Sequence, residues 1–338
     1  VATIRDVAAS AGVAPSTVSN ILSGKKKFPA ATVDRVMASI SELGYRPDPA
    51  ARALALGRTN IIGFLASVLT DLPGPDVDVF MRFVRAAVYT ARQRGFDVLL
   101  MGKGQEELEG DMLVDALVVM DIRNEDPRLP LLRSRGLPTV LVGMPRDPHG
   151  MSAFDLDFRE AARLSVRHLV ELGHREIACL ATPDQPAGLD FAFQARFSEG
   201  FAEESAAQGI RAHYIPGGNT VESVERWARQ VATDPPGVTG IVVLNVGVLD
   251  VLLNRIAAAG GTVPGTMSVI AITSAEELAR SFPGISVVDI PGRRMVELAV
   301  NRALDELAGA PSGVQQLLPA VLVDRGSTGP AAANPTPL

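Results

Sequence analysis

Few of the 338 residues have the types and spacing that bond-making chemistry requires. The four histidines, His149, His168, His174 and His213, are not spaced with the single cysteine as metal ligands would be. His168 and His174 stand six apart and so do not share a helix face as an i, i+4 pair does. His174, directly after Gly173, reads as a residue serving a helix C-terminus. Cys179 lies in the apolar run 177–180 and reads as a buried core thiol. A single cysteine also excludes an intramolecular disulfide framework and any all-cysteine metal site. Gly102-Lys103-Gly104 is a lone G-x-G without the Lys-Ser/Thr of a phosphate loop, and no G-x-S-x-G nucleophile elbow occurs. No enzymatic activity, metal or cofactor is expected.

The chemistry the sequence does carry is electrostatic. Residues 1–60 hold eight basic side chains (Arg5, Lys25, Lys26, Lys27, Arg35, Arg46, Arg52, Arg58) against four acidic ones, a local charge of +4. The whole chain carries −6, which leaves −10 on the remainder. A basic head on an acidic body directs the head alone towards a polyanion. The consecutive Lys25, Lys26 and Lys27 suit sequence-independent, salt-sensitive contact with a phosphate backbone.

The elements that hold this head follow from capping and periodicity. Thr3 and Asp6 form a T-x-x-D capping box at the start of a short helix whose buried face is Ile4, Val7, Ala8 and Ala11. Gly12 permits the chain reversal that follows. Pro15 suits the first position of a second helix reaching residue 22, with Val18, Ile21 and Leu22 inward. A third helix over 31–43 puts Val33, Val36, Met37 and Ile40 on one face and stops at Gly44. Two short helices around a glycine turn, braced by a third, make a helix-turn-helix module. Residues 46–57 then pass from two prolines into a few helix formers, a piece too short to stay helical alone in water, and read as a hinge.

From Asn60 onward strand and helix patterns alternate. Strands are expected at 61–68, 97–101, 116–120, 138–142, 177–181, 210–215, 240–244, 268–272 and 285–289. Amphipathic helices are expected at 79–94, 158–172, 191–208, 221–231, 248–259 and 293–307. This is a doubly wound parallel α/β design, too long for one sheet, so two lobes with a cleft between them are expected. The expected division is 1–47 helix-turn-helix, 48–58 hinge, 59–326 two-lobed domain and 327–338 disordered tail. No run of about 18 apolar residues marks a membrane span, and the N-terminus lacks the layout of a signal peptide. A cytoplasmic protein is expected.

Residues 3–24, TIRDVAASAGVAPSTVSNILSG, closely resemble the N-terminal signature of the lactose-repressor (LacI/GalR) family of bacterial transcription factors. The likeness continues through Tyr45-Arg46-Pro47, the Ala51-Arg52-x-Leu54 hinge, and His168-Leu169-x-x-Leu172-Gly173-His174-Arg175-x-Ile177. It implies a homodimeric repressor on a palindromic double-stranded DNA operator, with a periplasmic-binding-protein-like domain for a small-molecule effector. It further implies that Pro15, Ser16 and Asn20 read bases from the major groove, Asn20 by bidentate pairing with adenine. Thr3, Thr17 and Ser19 suit phosphate oxygens, and Tyr45 and Arg52 join the same DNA-facing set. Leu54 takes the place of the leucine that wedges into the minor groove at the operator centre.

The ligand contacts depart from the family. Counted from Gly200, the clamping arginine falls on Phe197. The D-N element becomes Asp157-Phe158, the Asn-Asp pair becomes Asn245-Val246, and the aspartate ending a late strand becomes Thr273. Unpaired buried hydroxyls cost about 1–3 kcal/mol each, so this loss of polar partners argues against a sugar effector. Either the cleft is rebuilt for a more apolar, non-sugar ligand, lined by Phe80, Phe158, Phe197, Asn245, Val246 and Thr273, or it is vestigial and DNA binding is ligand-independent.

Overall fold

The computed structural model describes residues 2–23, 27–46, 57–66, 76–102, 108, 112–182, 191–217, 220–233, 237–244 and 246–333. The chain falls into two compact units, Val1–Ile61 with Leu113–Asp115, and Ile62–Met112 with Ala116–Leu338.

The first unit contains α1 (Ile4–Ala11), α2 (Pro15–Ser23) and α3 (Ala30–Glu42). The Thr3 hydroxyl accepts from the Asp6 amide at 3.4 Å while the Asp6 carboxylate accepts from the Thr3 amide at 2.7 Å, which satisfies donors that a helix start leaves orphaned. Gly12 ends α1 in the left-handed region at φ +65°, where a side chain would be strained. Val7, Ala8, Ala11, Val18 and Val36 form the buried core, with Ile4, Val13, Ile21, Leu22, Ile40 and Tyr45 packed around it. Met37 departs from expectation: it is 51% exposed, and Ser39 is buried in its place. Ser39 and Ser10 join α3 to α1 through a 3.0 Å hydroxyl contact, so the buried face of α3 is rotated towards Val36, Ser39 and Ile40. At the far end of this unit Asp115 accepts from the amides of Thr59 (2.8 Å) and Asn60 (2.7 Å).

The second unit holds two six-stranded sheets. The first lobe begins with β1 (Ile61–Leu65), α4 (Asp76–Gln93), β2 (Asp97–Met101), β3 (Ala116–Val119), α5 (Arg128–Ser134), β4 (Thr139–Val142) and β5 (Ser152–Leu156). The second lobe follows with α6 (Phe158–Glu171), β6 (Glu176–Ala181), α7 (Ala192–Ala207), β7 (Arg211–Pro216), α8 (Val221–Thr233), β8 (Gly240–Val243), α9 (Leu249–Ala258), β9 (Ser268–Thr273), α10 (Ala275–Ser281) and β10 (Ser286–Asp289). The chain returns to the first lobe through α11 (Gly292–Leu307) and β11 (Gln315–Leu318), then ends in the second with β12 (Leu322–Val323). Sheet orders are β11-β5-β4-β3-β1-β2 and β12-β10-β9-β8-β6-β7. The β1–β3, β3–β4, β4–β5, β5–β11, β6–β7, β6–β8, β8–β9 and β9–β10 pairs are parallel, and β10–β12 is antiparallel. The doubly wound, two-lobed architecture is therefore the observed one, with three chain crossings between lobes.

Two expectations are corrected. Residues 327–333 do not form part of a disordered tail. The buried Ser327 hydroxyl accepts from the Ser286 amide at 2.7 Å, Thr328 meets His168 at 2.9 Å, and the Ala331 amide donates to Leu172 at 2.9 Å. His174 does not serve a helix end with its ring. The imidazole is buried between Thr239 (2.7 Å), Ser268 (2.9 Å) and the Gly329 carbonyl (3.2 Å), and burial holds its pKa below the usual histidine range.

Gly200 sets how closely α7 approaches α6. A Cβ there would lie 2.2 Å from the Arg159 carbonyl oxygen, a backbone atom with no rotamer to yield. Gly200→Ala should therefore destabilise by about 1–3 kcal/mol or more, as overpacking does. Gly284→Ala, with no atom within 4 Å of the added Cβ, should stay within about 0.5 kcal/mol of the natural chain. Urea unfolding of both variants checks the contrast, and equal midpoints would contradict the close approach.

Candidate functional site

In the first unit, burial of Val18 and partial burial of Ile21 and Leu22 fix the roll of α2. Helical periodicity then turns positions 16 and 20 away from that core. Pro15 and Ser16 are exposed at the start of α2, and Thr17, Ser19 and Asn20 are half-buried along it. The Ala14 carbonyl accepts from the Thr17 amide at 2.9 Å, so the first turn of α2 is closed directly beneath the exposed pair. Lys27 is exposed. Thr3 is also exposed, but its hydroxyl donates to Asp6 at 2.8 Å and its amide to the same carboxylate, so both donors serve the cap of α1. Tyr45 braces the core, its amide bonded to the Ile40 carbonyl at 3.0 Å. Lys25, Lys26, Arg52 and Leu54 lie outside the described residues. The described set presents small polar groups on a rigid helix within a basic head, which is the chemistry of reading base edges.

In the second unit, the residues expected to line a cleft separate into two groups. Phe80, Phe158 and Phe197 are core residues of one cluster: Phe80 pairs with Phe64 at a 6.3 Å centroid distance, and the fully buried Phe197 stacks on Phe201 at 6.4 Å. Phe197 faces inward because Phe201, one turn later, and Tyr214 on β7 continue the same aromatic row. Phe158, Val246 and Thr273 stand where β5, β8 and β9 end. The carboxyl ends of parallel strands are where α/β folds place ligands. Asn245 lies outside the described residues. Immediately after Thr273, a recess of about 260 Å³ is lined by Ser274, Glu276, Asp289, Arg293, Arg294 and Glu297 among others.

Several residues at this edge carry no local sequence signal. Phe191 and Phe193 stack at 5.9 Å, and Phe193 meets Phe158 at 5.3 Å. The loop after β3 reaches the start of α7: Arg123 bridges Phe191 by backbone pairing, and the Ala192 amide donates to the Ile122 carbonyl at 2.9 Å. The loop is held by a buried ion pair. Arg128 donates to Asp126 at 2.6 Å and to the Asp121 carbonyl at 2.8 Å, while Asp126 also accepts the amides of Arg123 (3.1 Å) and Arg128 (3.0 Å). Burial alone would push the Asp126 carboxyl up, but these hydrogen bonds hold it below its usual range. Only the bonding of the folded chain brings these residues together, since Arg123 and Phe191 are far apart in sequence.

Two sequence profiles match the chain. One, described as bacterial regulatory proteins of the lacI family, matches residues 3–48; the other, a periplasmic binding protein-like domain, matches residues 166–328. The chain is similar to an HTH-type transcriptional regulator of Mycolicibacterium smegmatis, with 28% identity over 89% of this chain and 90% of the relative. It is likewise similar to the HTH-type transcriptional regulator CelR of Thermobifida fusca, with 27% identity over 90% of this chain and 92% of that one. Among solved structures, the lac repressor dimer bound to operator and the anti-inducer ONPF shares the fold with a TM-score of 0.81 at 24% identity, covering 97% of this chain and 99% of that one.

The buried pair gives a pH-dependent test. Arg128→Met strips Asp126 of its partner and leaves a buried carboxylate, at a cost of about 3–5 kcal/mol at neutral pH. In the variant the Asp126 pKa rises, so protonation relieves the deficit as the pH falls. The natural chain loses its own contribution only as the pH drops through the lowered folded value. Urea unfolding at pH 7 and pH 4.5 should show the gap narrowing at the lower pH, and a constant gap would contradict the assignment.

Proposed function

We propose that this chain, which belongs to the lacI family of bacterial regulatory proteins and is a DNA-binding transcriptional regulator rather than an enzyme, is an effector-gated repressor. It binds a palindromic operator as a homodimer. The observation that carries the reading is the pairing of a buried Val18 with exposed Pro15 and Ser16 on one helix of a basic head, which leaves the reading face of α2 open. Ser16 and Asn20 supply hydrogen bonds to base edges, Pro15 supplies van der Waals contact, and Thr17, Ser19, Tyr45 and the three lysines meet the backbone. Arg52 joins the DNA-facing set, and Leu54 acts in the minor groove, where it unstacks the central step.

Two-fold symmetry of the protein matches two-fold symmetry of the operator. The homodimer is supported by a sheet edge that no further described strand pairs. β2 ends its sheet with Leu99 and Leu100 exposed, next to α4, whose outer face exposes Met81 and Tyr89. Apolar edge strands of this kind are normally covered. A regulator that acts on bacterial DNA works in the cytoplasm, at the nucleoid when bound, and no described helix is long and apolar enough to cross a membrane.

The effector is a small, relatively apolar non-sugar molecule. That reading is supported by the Phe158, Phe191 and Phe193 cluster and by Val246 and Thr273 at strand ends, where polar partners for a sugar would be needed. A vestigial cleft is favoured by one observation, the complete burial of Phe197 in the core.

Asn20→Ala should relax base preference at one position per operator half-site and cost about 1–3 kcal/mol of specific binding. Leu54→Ala should weaken specific binding while sparing the salt-sensitive, non-specific mode. Competition titrations against operator and random duplex separate the two modes. Unchanged preference in the first variant, or equal losses in both modes for the second, would refute the assigned roles.

A further inference from the structure

The seam between the lobes holds an aromatic surface and a cation that DNA binding does not use. Phe191 and Phe193 are half-buried with rings inclined by only 16°, and Phe158 abuts Phe193 from the first turn of α6. Arg196 follows Phe193 by three residues on α7, so the two side chains are neighbours on one helix face. The Arg196 Nε is buried and has no hydrogen-bond partner among the described residues. A buried donor left unmade is costly and rare enough to ask for an acceptor.

One opposite charge that Arg196 acts on is a poor match. Asp155 acts electrostatically on Arg196, but its two oxygens already accept the amides of Met144 and Leu156, each at 2.9 Å. Burial also pushes the Asp155 carboxyl up to about 7, so near neutral pH it is ionised only part of the time. Asp155 therefore gives Arg196 only a partial counter-charge, and the Arg196 Nε keeps no hydrogen-bond partner among the described residues.

We propose that the effector is a flat aromatic carboxylate, its ring against Phe191 and Phe193 and its carboxylate paired with the Arg196 guanidinium. A guanidinium fork matches a carboxylate in a bidentate pair, and aromatic rings offer offset stacking to a planar ring. The same surface is joined to the other lobe through the Arg123–Phe191 bridge and the Ala192–Ile122 hydrogen bond, so a ligand there touches the contact that relates the lobes. This inference rests on the reading that the cleft binds a small effector.

Isothermal titration of the full chain, without DNA, with benzoate, phenylacetate and cinnamate and with the corresponding amides tests it. At least one carboxylate should bind about tenfold or more tightly than its amide. Arg196→Gln should erase that difference while leaving amide affinity unchanged, and Phe193→Ala should weaken acid and amide alike. Equal binding of acid and amide, no binding of any of the six, or full carboxylate affinity in Arg196→Gln overturns the proposal. Should Arg196→Gln not fold, the acid-to-amide ratio of the natural chain decides alone. If the six fail while a pooled metabolite extract shifts operator affinity, only this inference falls; if the extract is also without effect, the effector reading falls with it.

Discussion

Val18 shares one cluster with Val7 and Val36, and none of the three leaves surface to solvent. That contact fixes the roll of α2, because a helix that buries position 18 turns positions 16 and 20 to the opposite side. Pro15 and Ser16, at the start of the helix, are exposed. Val18, Ile21 and Leu22 thus carry the packing of a nine-residue helix. The capping box of Thr3 and Asp6 and the left-handed Gly12 set the start and end of α1, against which α2 is seated. With so small a core, a few such local devices carry much of the specification of the head.

The body obeys a different constraint. Its two sheets are joined by three chain crossings, and Phe158, Val246 and Thr273 stand at strand ends. Rigid elements border that region on both sides. Gly200 lets α7 lie against the backbone of α6, and the Asp126–Arg128 pair holds the loop after β3 in the shape that reaches Phe191. Charges buried in this way are worth little as net stability but strongly penalise other arrangements of the loop.

Much of this was legible from the residues, and the exceptions have physical causes. The capping box, the glycine turn, the inward valines of the head and most parallel strands follow from short-range pattern. β5 escapes because Ser152 and Asp155 interrupt a strand that is wholly buried, and Asp155 is tolerated there only because two backbone amides bind it. Helix α5 is disguised by Pro130 in its first turn, where the missing amide costs nothing. The polar stretch after Arg325 reads as a loose tail, yet His174, Ser268 and Ser286 bind it from elsewhere in the fold. Phe197 shows the limit of register counting. Its position matches a ligand-clamping residue by resemblance, but its ring belongs to an aromatic row that fills the core.

The central claim is that the head reads a two-fold symmetric DNA sequence and that a small molecule in the body alters that reading. Selection of random duplex DNA on the purified full chain, run with and without a pooled metabolite extract, tests it most directly. The account predicts a palindromic consensus whose enrichment changes when the extract is present. A palindrome indifferent to every extract would contradict the effector half of the account, and the absence of any palindrome would contradict it at its root.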